Sequence, residues 1–229
     1  MSLCSGCLFV SDKRTTSLQE TINSIITGFP YITARKIAKL CGKILSTKLI
    51  TGYVSQLKTR RLHYLIQARK SWDGRLNIVD FPDAMSEIFF WKNSFASYNY
   101  RILGETYNPP IRAYSDASGT GLAAHVCING ITKIAYRNLK CVEQTESSTF
   151  RELLAIEFAL TSFQSYLKGG HVLWSTDNFA ACSIAKRGSR NENLQSLSES
   201  IAQFCNSNYI TFQTKWISRN FIFQISFCR

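Results

Sequence analysis

The chain has 229 residues, of which 45% are hydrophobic and 13% aromatic, and its formal net charge is +12. This length suits one good-sized domain or two small ones, and the apolar fraction excludes an intrinsically disordered chain. The positive charge favours an anionic partner, with nucleic acid ahead of an anionic membrane surface, because Lys and Arg release counterions from phosphates. No apolar stretch approaches the roughly 20 residues of a membrane-spanning helix.

The first part of the chain, residues 1–108, is predicted to be mainly helical. Apolar residues over 17–26 recur at helical spacing. Thr33 is then placed to cap a helix over 34–45. A further amphipathic helix, rich in aromatic residues, is predicted over 83–97.

Basic residues recur along this helical part. Arg35, Lys39 and Lys43 are spaced by four, on a different helix face from the apolar stripe. Arg60 and Arg61 belong to a second basic stretch. Such a face is either an ordinary solvated surface or a set of phosphate contacts that position a duplex without reading its sequence. The excess of 27 basic over 15 acidic residues favours phosphate contacts.

Pro109-Pro110 marks the predicted boundary to a second domain at 109–220, where the pattern becomes α/β. Strands are predicted at 111–117, 121–128, 131–137, 171–176 and 208–215, and helices at 148–167, 178–187 and 191–206. Asn129-Gly130 is a two-residue hairpin signal between the second and third strands. Three antiparallel strands followed by alternating helices and strands predict one mixed five-stranded sheet flanked by helices.

The chain contains eight cysteines, at positions 4, 7, 41, 127, 141, 182, 205 and 228. Only Cys4 and Cys7 form a C-x-x-C pair, and a zinc or redox site there is disfavoured because about four ligands are needed. The others are predicted to be buried free thiols, which is typical of a reducing, intracellular compartment. The first residues lack the features of a signal peptide, so we expect a cytoplasmic or nuclear protein that is not secreted.

Three acidic residues lie at the edges of three different predicted elements. Asp116 ends a strand, Glu152 lies in the first turn of a helix, and Asp177 precedes a helix. Each has an ordinary alternative role, as a turn residue, a partner of the helix dipole or a helix cap. Three such carboxylates can also converge at one end of a sheet and hold hard divalent cations, which prefer oxygen ligands. Two cations held in this way catalyse in-line phosphodiester cleavage.

Two other classes of acid-bearing domain fit these residues less well. The run Asp-Ala-Ser-Gly-Thr-Gly at 116–121 loosely matches the phosphate loops of actin-like and sugar kinases, which need a second similar half to enclose ATP. Transposase-type domains also use three acids, but their glutamate comes last. The order Asp–Glu–Asp argues against them.

Three motifs occur in the order Tyr114-Ser115-Asp116-Ala117-Ser118, Arg151-Glu152-Leu153-Leu154-Ala155 and Ser175-Thr176-Asp177-Asn178. They resemble the ribonuclease H domain of retroelement polyproteins, and in particular the reverse transcriptase/ribonuclease H region of DIRS-type (tyrosine-recombinase) retrotransposons. The segments at 188–195 and 216–220 agree with this family. The helical part is similar to the thumb/connection region that precedes the ribonuclease H domain.

The resemblance implies a metal-dependent endonuclease that hydrolyses the RNA strand of RNA–DNA hybrids. Such an enzyme distinguishes the RNA strand from DNA by its 2′-hydroxyl groups. Asp116, Glu152 and Asp177 would be the catalytic residues and the ligands of two Mg²⁺ or Mn²⁺ ions. Asn178 and Gln195 would contact the sugar or the backbone. The ordinary alternatives for Asn178 and Gln195 are helix capping and solvated polar surface.

The sequence departs from the family in two places. The family has a fourth metal-binding acid in a final helix, whereas no Asp or Glu follows Glu199 here, and residues 221–229 resemble a truncated or frameshifted tail. Losing one ligand is expected to weaken metal binding about tenfold to a hundredfold. No aromatic-x-Asp-Asp motif occurs, so polymerase activity is not expected. A catalytically impaired remnant, which binds nucleic acid or is inert, is therefore the second hypothesis.

Overall fold

In the computed structural model, which describes residues 2–4, 6–102 and 110–218, the chain divides into two units, Met1–Glu105 and Thr106–Arg229. The atypical tail at 221–229 lies outside the described residues. Within the described ranges, no helix combines the length and the apolar character needed to cross a membrane.

The first unit is mainly helical, as predicted. Its α-helices are α1 (Asp12–Ile26), α2 (Ala34–Leu45), α3 (Lys48–Thr51), α4 (Val54–Leu57), α5 (Arg60–Gln67) and α6 (Pro82–Tyr98). Its short strands are β1 (Ser2–Cys4), β2 (Cys7–Phe9) and β5 (Arg101–Ile102) in one sheet, and β3 (Tyr31–Thr33) and β4 (Arg75–Asn77) in another. These strands were not predicted, because runs of two or three residues are too short to show alternation.

Two polar side chains fix the starts of helices in this unit. Thr33 caps α2 as predicted, since its hydroxyl oxygen accepts a hydrogen bond from the Lys36 backbone N–H at 3.3 Å. Glu87, on α6, is buried and its carboxylate accepts hydrogen bonds from the backbone N–H groups of Arg61 and Leu62. A carboxylate at this place satisfies the first N–H groups of α5 and lies at the favourable end of its dipole.

The second unit is built on one five-stranded sheet. Its strands are β6 (Ile111–Ala117), β7 (Gly121–Ile128), β8 (Ile131–Asn138), β9 (His171–Thr176) and β10 (Thr211–Trp216), in the spatial order β10-β9-β6-β7-β8. The β6–β7 and β7–β8 pairs are antiparallel, whereas β9 is parallel to both β6 and β10. The prediction of a mixed sheet flanked by helices is therefore confirmed.

The helices of this unit are α7 (Cys141–Gln144), α8 (Ser148–Ser162), α9 (Gln164–Leu167), α10 (Phe179–Arg187) and α11 (Glu192–Ser207). The hairpin between β7 and β8 turns at Asn129 and Gly130, which have φ values of 51° and 78°. Both values lie in the left-handed region that a two-residue hairpin of this type requires, and Asn and Gly adopt it most readily.

Two predicted elements of the second unit have boundaries that differ from the structure by more than one residue. The predicted helix over 148–167 is interrupted at Phe163, which leaves helical geometry (φ −105°, ψ 15°) while its ring is buried in the core. The last strand begins at Thr211 and not at residue 208, because Tyr209 adopts a φ of 56° as the chain leaves α11. Both differences follow from tertiary packing and local backbone geometry, which periodicity does not report.

The core of the second unit lies between the sheet and α8, α10 and α11. Trp174 on β9 is fully buried there, and its indole N–H donates a hydrogen bond to the Ser115 hydroxyl on β6 at 2.9 Å. Leu160 on α8 is equally inaccessible and belongs to the same apolar cluster. Burial of α8 against β6 and β7 determines which of its side chains reaches the end of the sheet.

The substitution Leu160→Ala tests this core. We expect the free energy of unfolding to fall by about 2–5 kcal/mol, because the lost burial and the cavity add. Val142→Ala on α7 removes an exposed side chain and serves as the control, with an expected change within about 0.5 kcal/mol. Urea denaturation followed by circular dichroism measures both, and equal small effects would contradict the assigned core.

Candidate metal centre

Three carboxylates from three elements meet at one end of the sheet. Asp116, Glu152 and Asp177 each offer a ligand oxygen, and these oxygens lie within 4.8 Å of one another. The strands explain this convergence, since β6 and β9 are parallel neighbours with Tyr114 opposite Ser175. Their carboxyl ends therefore share one edge, where Asp116 and Asp177 stand side by side. Glu152 reaches the same edge from α8, which packs on β6.

Glu152 is the buried member of the cluster. Its side chain is 5% exposed, and it accepts hydrogen bonds from the Ala117 backbone N–H and the Thr176 hydroxyl, both at 3.3 Å. The sequence-based placement in the first turn of its helix was wrong. Ser147 caps α8 through the Phe150 N–H, so the helix begins at Ser148 and Glu152 is in its second turn. The helix dipole therefore does not explain this acid.

Asp177 is not the cap of the helix that follows it. Asn178 has that role, because its side-chain oxygen accepts a hydrogen bond from the Ala181 backbone N–H at 2.9 Å. The Asp177 backbone carbonyl accepts a hydrogen bond from the Trp216 indole N–H at 2.9 Å, which ties this residue to the end of β10. Asn178 thus has the capping role, and Asp177 belongs to the acidic cluster.

The electrostatics of the cluster favour a cation. Burial, followed by the nearby carboxylates of Asp116 and Asp177, raises the pKa of Glu152 from 4.5 to about 7. Hydrogen bonds from Ala117 and Thr176 oppose the shift in this pKa without cancelling it. Three carboxylates held this close together repel one another when they are ionised. A hard divalent cation prefers such oxygen ligands, and its positive charge offsets their repulsion. The three residues therefore fit a divalent metal.

Thr176 is a residue of the site that sequence reasoning missed. Its hydroxyl donates to the Glu152 carboxylate and accepts from the Asn178 backbone N–H at 3.2 Å. It thereby joins the buried acid to the start of α10. Its position directly before Asp177 was the available signal, although a threonine at a strand end is common without such a role.

The structure gives Asn178 and Gln195 structural roles. Asn178 is the cap of α10, as its ordinary alternative predicted. Gln195 is 1% exposed, accepts from the Ser189 backbone N–H at 2.9 Å and donates to Glu199 at 2.8 Å. Neither a direct sugar contact nor a solvated surface fits this burial. Gln195 instead holds the loop between α10 and α11.

Four of the five basic residues have partners within the first unit. Arg35 forms a two-point ion pair with Asp73 at 2.7 and 2.8 Å, which lowers the pKa of that carboxyl group. Lys43 donates to Ser17 and Thr21 at 2.6 to 2.7 Å. These two cations stabilise local packing.

Arg60 and Arg61 are half-buried, and each also has a partner within the first unit. Arg61 pairs with Asp83 at 2.7 Å, and Arg60 lies over the Tyr64 ring with 5.6 Å between guanidinium and centroid. Lys39 is exposed on α2. These residues belong to the first unit, whereas the three acids belong to the second.

Residues 106–204 match the model of a family described as the RNase H-like domain found in reverse transcriptase. The matched residues all lie in the second unit. Among curated proteins, none matches this chain.

Two solved proteins are similar to the chain in structure. The RNase H1 of the archaeon Halobacterium salinarum is 10% identical, with a TM-score of 0.42, over 48% of this chain and 87% of that one. The foamy viral protease-reverse transcriptase in complex with an RNA/DNA hybrid is 11% identical, with a TM-score of 0.35, over 87% of this chain and 27% of that one. Its complex with double-stranded DNA is 11% identical, with a TM-score of 0.39, over 89% of this chain and 41% of that one. The chain thus spans less than half of the foamy viral protein.

The raised pKa of Glu152 predicts a distinctive pH dependence of stability. Its folded pKa of about 7 lies above the ordinary value of 4.5, so the ionised group destabilises the metal-free fold as pH rises through this window. We expect up to about 3 kcal/mol of unfolding free energy to be lost between pH 4.5 and pH 8 from this group. In Glu152→Gln this loss is absent.

Urea denaturation in EDTA at both pH values measures the effect. Glu20→Gln, which changes an exposed acid on α1, is the matched control and should keep the wild-type pH dependence. The same pH dependence in Glu152→Gln and wild type would contradict the assignment.

Proposed function

We propose that this chain is a metal-dependent endonuclease of the ribonuclease H type that hydrolyses the RNA strand of RNA–DNA hybrids. The convergence of Asp116, Glu152 and Asp177 within 4.8 Å carries this proposal. It is supported by the match of residues 106–204 to an RNase H-like domain family. A single acid at a strand end would have ordinary explanations, but three acids from three elements at one edge form a ligand set.

The proposed cofactor is a pair of Mg²⁺ or Mn²⁺ ions held by these three carboxylates. When bound, divalent cations of this kind activate a water molecule and stabilise the developing charge on the leaving oxygen. The chain itself contributes a fixed arrangement of ligands. Glu152 is buried and oriented by two hydrogen bonds, while Asp116 is exposed and Asp177 is half-buried, so the cluster opens toward solvent on the aspartate side.

The hybrid substrate is proposed from the three motifs around the acids and from the charge of +12. A cationic chain binds any nucleic acid through its phosphates, so discrimination requires contacts that detect the 2′-hydroxyl. A retrotransposon origin, close to the DIRS type, and an intracellular place of action belong to the same proposal, since they rest on the motif resemblance.

The variant Asp116→Asn tests the proposed reaction. We expect Mg²⁺- or Mn²⁺-dependent cleavage of a labelled RNA–DNA hybrid to fall roughly a hundredfold or more, since even residues that only support a metal ligand contribute tenfold to a hundredfold. The thermal stabilisation that the metal gives to wild type should also disappear. Glu20→Gln should keep both properties.

Two outcomes would decide against this function. Cleavage that Asp116→Asn leaves unchanged means that the metal site is assigned wrongly or that a contaminating nuclease acts. Binding of the hybrid by wild type without cleavage under any divalent cation supports the second hypothesis, a remnant that binds nucleic acid without cutting it.

The basic surface of the first unit yields a separate prediction. Lys39→Ala should weaken binding of any nucleic acid and reduce the slope of log affinity against log salt by about one, because one phosphate contact is lost. Lys39→Arg keeps the charge and should keep the slope. An unchanged slope in Lys39→Ala would show that this side chain is only solvated.

A further inference from the structure

Two large aromatic residues adjoin the backbone segment that carries Asp177, and much of their surface is in solvent. Phe179, the first residue of α10, is 73% exposed, and Trp216, the last residue of β10, is 48% exposed. Neither belongs to the apolar core of this unit. Packing within the fold therefore does not account for them.

The short segment of backbone that contains Asp177 connects the two aromatic residues: Phe179 belongs to it, and Trp216 is hydrogen-bonded to it. Trp216 is opposite Thr176 in the β9–β10 pairing, and its indole N–H donates to the Asp177 carbonyl at 2.9 Å. Phe179 follows Asp177 by two residues and is held by the Asn178 cap of α10. Asp177 is thus adjacent along the backbone or through a hydrogen bond to two aromatic residues that are held in place by hydrogen bonds.

This arrangement differs from a scattered exposed aromatic residue, which is ordinary on protein surfaces. The polar atom of the Trp216 ring is already satisfied by the protein, so the exposed part of the ring offers an apolar face. A ligand that matches both the acidic residues and the aromatic faces has an anionic group, which a metal ion would hold at the acids, and an apolar ring next to that group. A nucleotide has this combination, since its phosphate is flanked by a sugar and a base.

We propose that Phe179 and Trp216 form an apolar contact with the nucleotide that flanks the scissile phosphate, packing against its sugar face. The identity of the ligand rests on the proposed function. The sugar is favoured over the base because the bases of a duplex are already stacked on one another. A hybrid duplex exposes its sugars in a wide and shallow minor groove.

Binding of a labelled RNA–DNA hybrid by the full chain tests the contact, measured by fluorescence anisotropy with Ca²⁺ in place of Mg²⁺. Phe179→Ala and Trp216→Ala should each weaken binding about fivefold to tenfold, the lower part of the range for aromatic contacts with nucleotides. Because the contact is apolar, the salt dependence of binding should stay at the wild-type slope in both variants, unlike in Lys39→Ala.

Three further variants separate the ring contact from structural effects. Trp216→Phe keeps a ring but loses the hydrogen bond to Asp177, and it should bind within about twofold of wild type. The hybrid should quench tryptophan emission in wild type but much less in Trp216→Phe, because Trp216 contributes the quenched signal. Tyr166→Ala is the control, because it removes a 47% exposed ring from α9. This helix precedes β9 in the chain and therefore lies toward the end of β9 opposite to Asp177. The variant should bind the hybrid like wild type.

The outcomes distinguish this contact from the proposed reaction. Wild-type affinity in both alanine variants, with wild-type cleavage, would overturn the contact and leave the reaction in place. If wild type binds the hybrid but never cleaves it, and both alanine variants bind more weakly than wild type, the contact is supported and the proposed reaction is overturned. A wild-type chain that binds no hybrid would overturn the contact as well.

Discussion

The site in the second unit depends on one electrostatic constraint, the confinement of three carboxylates at the shared end of β6 and β9. Glu152 is buried between the other two acids, and its pKa rises to about 7 because burial and like charges both oppose its ionisation. Repulsion of this kind persists in a fold only when the surrounding structure imposes it. Here the parallel pairing of β6 with β9 and the burial of α8 impose it, while Ala117 and Thr176 orient the acid.

The need to hold the three carboxylates together also explains why neighbouring polar residues have structural roles. Asn178 caps α10, Thr176 links Glu152 to that cap, and Gln195 secures the loop before α11. The bonds of Thr176 and Asn178 fix backbone next to Asp177, whereas the bond of Gln195 fixes Ser189, beyond the other end of α10. A ligand set becomes useful for chemistry only when its members are held in place before the substrate arrives. Thr176 and Asn178 therefore support the geometry of the acids.

The basic residues show a comparable division between fold and surface. Arg35 and Lys43 share one helix face with Lys39, but Asp73 engages the first and the hydroxyl groups of Ser17 and Thr21 engage the second. The net charge of +12 therefore overstates how much of the first unit is available for phosphate contacts. Spacing by four places cations on one face of a helix, but it does not reveal which neighbouring element supplies a partner.

The sequence by itself determined the α/β sheet, the Asn129-Gly130 hairpin, the Thr33 cap and the candidacy of the three acids. These features depend on alternation, turn chemistry and capping, which act over a few residues. Only the tertiary structure decided that Glu152 is buried in the second turn of α8, that Asn178 and not Asp177 caps α10, and that Gln195 faces inward. The physical reason is that burial and electrostatic coupling depend on residues distant in the chain, which meet only when the strands pair and α8 packs on them.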